Sequence, residues 1–183
     1  MIFIMKLLTA LVIGATFSIS AFSANGDTLQ EDVDWSIDKS HKQILCLAKN
    51  VYFEARSDML AGQFAVADVV LNRVRDTRWP NTICEVVYQG PISSWHLENT
   101  GKEVPLKHKC QFSWYCDGKS DEPTDRESWK NAQMVAYQLI NNKTHRGITS
   151  GSTHYHATYV SPSWSLSFQY VGQIGEHIFY RAE

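Results

Sequence analysis

The feature that most constrains this chain is a change of hydrophobic period. Ile44, Leu47, Ala48, Val51 and Ala55 fall at helical spacing, and so do Phe64, Ala67, Val70, Leu71 and Val74. Trp129, Ala132, Val135, Ala136, Leu139 and Ile140 form a third such stripe. The C-terminal stretches THYHATYV (153–160) and QYVGQIGEHIFYR (169–181) are instead rich in β-formers, with Gly and Pro nearby. The pattern predicts a mostly helical α+β domain with a small C-terminal sheet or hairpin. Ser40 or Asp38 is expected to cap the first helix, and the second is expected over 60–75. Thr82 is expected to cap a short helix through Ile83, Val86 and Val87. Thr124 with Glu127 reads as a capping box ahead of the last helix. Residues 90–123 show little periodicity and hold Trp95, Phe112, Trp114 and Tyr115, the mark of a functional loop.

The N-terminus sets the compartment. Lys6 precedes an apolar run from Leu7 to about Phe22, and Ala21-Phe22-Ser23 fits a small-residue cleavage site. Residues 1–23 therefore read as a signal peptide. Residues 24–39 read as a polar leader and 40–183 as the working domain. The run is shorter than the roughly 20 apolar residues of a comfortable membrane span. The expectation is an exported chain, periplasmic or extracellular, with no stable membrane anchor after cleavage. In that setting Cys46, Cys84, Cys110 and Cys116 can form disulfides. Three connectivities are open; Cys46 with Cys84 and Cys110 with Cys116 is the preferred one. A structural zinc site is the rival, and no C-x-x-C pair supports it. Seventeen Lys and Arg against nineteen Asp and Glu give a net charge of -2, which excludes a whole-chain basic footprint for nucleic acid.

Three groups of residues could carry chemistry. Glu54, in NVYFEARS, sits at the edge of the first apolar stripe, where burial would raise its pKa and suit it to general-acid work. An ordinary solvated helix Glu, paired with Arg56 or Lys49, is the bland reading. His154 and His156 share a strand face and, with His177, could form a three-histidine metal site; they could equally be polar residues of a groove wall. In CQFSWYCDG (110–118), Gln111 and Ser113 alternate with the rings of Phe112 and Trp114. Rings stack on apolar sugar faces while amides and hydroxyls bind sugar oxygens. An ordinary loop pinned by two cysteines explains the same residues.

NVYFEAR, GQFAVADVVLNRV (62–74), WPNTICEVVYQ (79–89), QFSW (111–114), THYH (153–156) and IGEHIFY (174–180) occur in this order. Together they resemble the SleB/CwlJ-type cell wall hydrolases over about residues 43–181. The resemblance implies a compact lysozyme-like fold and cleavage of peptidoglycan glycan strands without a cofactor. It implies that Glu54 is the catalytic acid, in the manner of a lytic transglycosylase acting between N-acetylmuramic acid and N-acetylglucosamine. Gln111, Phe112, Ser113, Trp114, His154 and Tyr155 are then the expected substrate ligands. Asp58, Asp68 and Asp117 are the candidate second carboxylates if the enzyme is a hydrolase instead. The family motif commonly runs EARGE, whereas this chain has EARSD, with Ser57 and Asp58. Two other readings stay open: a metal-dependent wall amidase or peptidase using His154, His156 and His177, and a non-catalytic peptidoglycan-binding protein.

Overall fold

The computed structural model describes residues 35–182. The expected signal peptide and most of the polar leader lie outside the described residues. Helix α1 spans Trp35–Ala55, so it begins within the expected leader, and Asp38 and Ser40 lie inside it rather than capping it. Its stripe is confirmed, with Leu47, Ala48 and Val51 fully buried. It packs against α2 (Leu60–Arg75), α3 (Ile83–Val87) and α5 (Arg126–Tyr137).

Helix α2 is buried on every side from Gly62 to Arg73, not only along the expected stripe. Phe64, Ala67, Val70 and Leu71 enter the main core with residues of α1, α3 and α5. Ala65 and Val69 face the sheet and contact the cluster around Phe179. A central helix must also satisfy its buried polar side chains. Asp68 accepts from the Gly147 and Thr149 N–H groups and the Thr149 hydroxyl. Asn72 donates to Thr149 Oγ1 and the Ser152 carbonyl, and Arg73 Nε donates to the Thr153 carbonyl. These bonds tie down the segment that leads into the sheet.

Thr82 caps α3 as expected, accepting from the Glu85 N–H. The last helix is capped by Asp125, which accepts from the Ser128 N–H at 2.7 Å, not by Thr124. Thr124 is displaced from that role because the Tyr52 hydroxyl receives its N–H and that of Asp125. The helix then widens into a π-turn over Gln138–Asn142 and ends at Lys143 in the left-handed region. The loop after α3 holds a short helix that periodicity did not reveal, α4 (Ser94–Thr100), because none of its residues is buried.

The C-terminal sheet has three antiparallel strands, β1 (His154–Ala157), β2 (Gln169–Ile174) and β3 (His177–Arg181), in the order β1-β3-β2. Gly175, with φ 58°, makes the tight turn between β2 and β3. Tyr155 opposes Phe179, and Ala157 opposes His177. Paired residues share a face and neighbours alternate, so Tyr155, His177 and Phe179 face α2 while His154, His156 and Tyr180 face away. Both preferred disulfides form, Cys46–Cys84 between α1 and α3 and Cys110–Cys116 across the loop. Among the described residues, no helix is long and apolar enough to cross a membrane.

Candidate active site

A groove of about 630 Å³ opens where the last turn of α1, the 113–120 loop and strand β1 meet. Glu54 lies on its wall, partly buried. Its neighbour Phe53 stacks on Trp114, with ring centroids 4.7 Å apart. Trp114 in turn donates its indole N–H to Asn50, one turn before Glu54. The 3₁₀ turn Ser113–Cys116 is closed by the Cys110–Cys116 disulfide, which holds Ser113 and Trp114 against the groove.

Strand β1 brings Tyr155 to Glu54. The Tyr155 hydroxyl donates to Glu54 Oε2 at 3.1 Å. Burial pushes the Glu54 pKa up; the Tyr155 hydrogen bond and the Arg73 cation oppose that rise without cancelling it. Burial likewise raises the Tyr155 phenol well above its usual value, so it stays a donor. Burial lowers Arg73 to about 10, which leaves it cationic at neutral pH. Its guanidinium stacks over Trp79 at 4.2 Å and over Phe112 at 5.2 Å. The arrangement holds a protonatable carboxyl beside a space large enough for sugar rings. That is the state a general acid requires.

The cell wall hydrolase family model matches residues 57–180. The chain belongs to the cell wall hydrolase family. Its spore cortex-lytic relatives mark it as the SleB/CwlJ type. The spore cortex-lytic enzyme of Halalkalibacterium halodurans is 28% identical over 141 residues, covering 76% of this chain and 35% of that protein. That of Oceanobacillus iheyensis is 26% identical over 141 residues, covering 76% and 42%. The chain thus spans less than half the length of these curated relatives. The catalytic domain of the germination-specific lytic transglycosylase SleB from Bacillus anthracis superposes with a TM-score of 0.52 at 26% identity, covering 76% of this chain and 93% of that one. The catalytic domain of SleB from Bacillus cereus has the same fold, with a TM-score of 0.51 at 22% identity and coverage of 77% and 91%.

In this member of the family, Glu54, Ser113, Trp114 and Tyr155 converge on one groove. The other three expected ligands do not line it. Phe112 is buried beneath Arg73. Gln111 and His154 line a second cavity of about 420 Å³ with Arg78, Trp79 and Phe168. The reason is alternation: Gln111 leaves the loop before the turn that aims Ser113 at the groove, and His154 points to the sheet face opposite Tyr155. There His154 packs on Phe168 and Trp164, and desolvation, reinforced by Arg73 and Arg78, pushes its pKa down to about 4. The three-histidine metal site is not formed, because His177 projects from the other face of the sheet than His154 and His156. Among the described residues, no three His, Cys, Asp or Glu side chains gather as a metal cluster.

The candidate second carboxylates separate as clearly. Asp68 is wholly buried beneath the 147–149 turn. Asp58 accepts from the Met59 and Glu176 N–H groups and from His177 Nδ1. Only Asp117 of the three lines the groove, where it also accepts from the Lys119 N–H. The sequence reading missed Phe53, Arg73 and Tyr159, and the role of His177 beside Tyr155. Arg73 carried a usable signal: it follows Val66 and Val69 at helical spacing, and a basic residue in line with apolar ones needs a buried purpose.

Proposed function

We propose that this protein cleaves peptidoglycan glycan strands between N-acetylmuramic acid and N-acetylglucosamine as a lytic transglycosylase, with Glu54 as acid and then base. One observation carries the reading: Glu54 is kept protonatable by burial on the wall of a sugar-sized groove, hydrogen-bonded to Tyr155. Glu54 gives its proton to the glycosidic oxygen, and the bond from the muramic acid C1 to that oxygen breaks. Positive charge develops at C1. The C6 hydroxyl of the same residue attacks C1, forming the 1,6-anhydro ring, and its proton returns to Glu54. No water is consumed and no second carboxylate is needed. Ordinary glycosidases use two carboxylates roughly 5–9.5 Å apart. Asp58 and Asp68 are engaged in hydrogen bonds that hold the fold, which favours the one-carboxylate route. Ser113 and Trp114 serve as sugar contacts beside the reacting bond. Residues 1–23 direct export to the periplasm or cell wall, where this substrate lies.

Purified peptidoglycan is digested with the wild-type protein and with Glu54→Gln, and the products are identified by mass spectrometry. Anhydro-muropeptides from wild type alone are the expected result. Reducing ends would assign hydrolysis, with Asp117 or Glu122, the other carboxylates that line the groove, as the second carboxylate. Cleaved peptide stems, or equal activity in both proteins, would overturn the assignment.

A further inference from the structure

Asp58 and His177 form a buried pair that the reaction above does not use. The Asp58 side chain is 3% exposed and that of His177 9% exposed. Asp58 sits in a cradle shaped for it. A Cβ at Gly62 would lie 2.1 Å from Asp58 Oδ2, and one at Gly175 would lie 2.2 Å from Oδ1. Two backbone N–H groups, from Met59 and Glu176, fix the carboxylate at 2.7 and 3.0 Å. Oδ2 also meets His177 Nδ1 at 3.1 Å. An ionised carboxylate only accepts, so Nδ1 is the donor, and in the neutral ring Nε2 is left as an acceptor. His177 lines the groove with Glu54, and its ring meets that of Tyr155 edge-on at 5.2 Å. Nδ1 makes the ring's sole hydrogen bond among the described residues, so Nε2 is free for a ligand.

We infer that His177 accepts a hydrogen bond from a substrate sugar hydroxyl beside Glu54, and that Asp58 is the positioning residue that fixes its acceptor nitrogen. The inference rests on the glycan-cleaving reading and names a second substrate contact in its site. A ring free to rotate, or present as the other tautomer, would offer the hydroxyl a proton instead of a lone pair. The cradle prevents both.

The protein carrying Glu54→Gln, labelled with ¹⁵N in its histidines, is titrated with tetrasaccharide fragments of peptidoglycan at neutral pH. The expected result is an unprotonated Nε2 at His177 that shifts toward the hydrogen-bonded value as fragment is added. His177→Asn assigns the signal by its loss. A proton on Nε2, or a signal indifferent to the fragment, overturns the inference. The active protein is then compared with His177→Asn, whose amide replaces Nδ1 and still reaches Asp58. Turnover is expected to fall by about tenfold, and sedimentation with insoluble peptidoglycan to weaken by no more than that, the worth of one hydrogen bond. Wild-type turnover overturns the inference. If His177→Asn does not fold, the resonances are assigned with the other six histidines replaced one at a time, and the titration decides. Failure of the glycan-cleaving reading is seen separately, as the absence of glycan products from the wild-type protein.

Discussion

Glu54 carries a cost in stability that the proposed general-acid role requires. Its folded pKa is raised by burial, so the unfolded chain ionises first as pH rises. The stability held below the ordinary carboxylate range is therefore lost as pH climbs toward the raised folded value, and stays lost above it. Glu54→Gln removes the ionisation and keeps an oxygen for the Tyr155 hydroxyl. Its thermal midpoint is expected to exceed wild type at pH 7, with the difference closing by about pH 4. Equal midpoints at both pH values would place Glu54 in a solvated setting. Tyr155 acts in the opposite sense, because its donated hydrogen bond favours the carboxylate. Tyr155→Phe should raise the Glu54 pKa further and move the alkaline limb of the kcat/KM profile to higher pH. A limb that moves down, or does not move, would mean that Glu54 is not the titrating acid.

At the scale of elements, the joint between α1, α2 and the β2–β3 turn is the most demanding. Replacing a helical glycine by alanine ordinarily stabilises by roughly 1 kcal/mol. At Gly62 the sign should reverse, because the new methyl would overlap the Asp58 carboxylate. Gly62→Ala is expected to lose about 1–3 kcal/mol in urea denaturation, as overpacked sites do, and to lose activity with it. A stabilised Gly62→Ala would show that Asp58 can leave its place at no cost. The elements themselves were largely legible in the sequence. Periods of about 3.6 located α2 and the stripes of α1 and α5, and β-formers located the sheet. What stayed hidden was relational. Nothing local tells that α2 is covered on every side, or that Tyr52 takes the N–H of Thr124 and shifts the cap to Asp125. Glu54 stood out through its motif, and it lies on the groove wall. The face on which His177 projects depended on its pairing with β1, which is set between residues twenty or more positions apart. Gln111 and His154 were misplaced for the same reason: alternation is readable, but the side that meets the groove is not.

At the scale of the molecule, two covalent links act differently. Cys46–Cys84 closes a loop of sequence separation 38 and joins two core helices. Loop-closure entropy makes that link worth about 4 kcal/mol, against about 2 kcal/mol for the 6-residue separation of Cys110–Cys116. Paired Cys→Ser variants should rank in that order in denaturation midpoint. Activity should rank the other way, because the smaller loop carries Ser113 and Trp114 to the groove. Loss of activity only in step with stability would remove the groove-shaping role of Cys110–Cys116. The enclosure of α2 also has a dynamic consequence. A helix with no solvent-facing side cannot release its amides by fraying at one surface; the whole domain must come apart first. Deuterium should therefore enter the backbone of Phe64–Leu71 last, at the rate of global unfolding, while the exposed turn at Ser94–Thr100 exchanges early. A domain built this way can let its outer loops loosen without loosening the rod that they are anchored to.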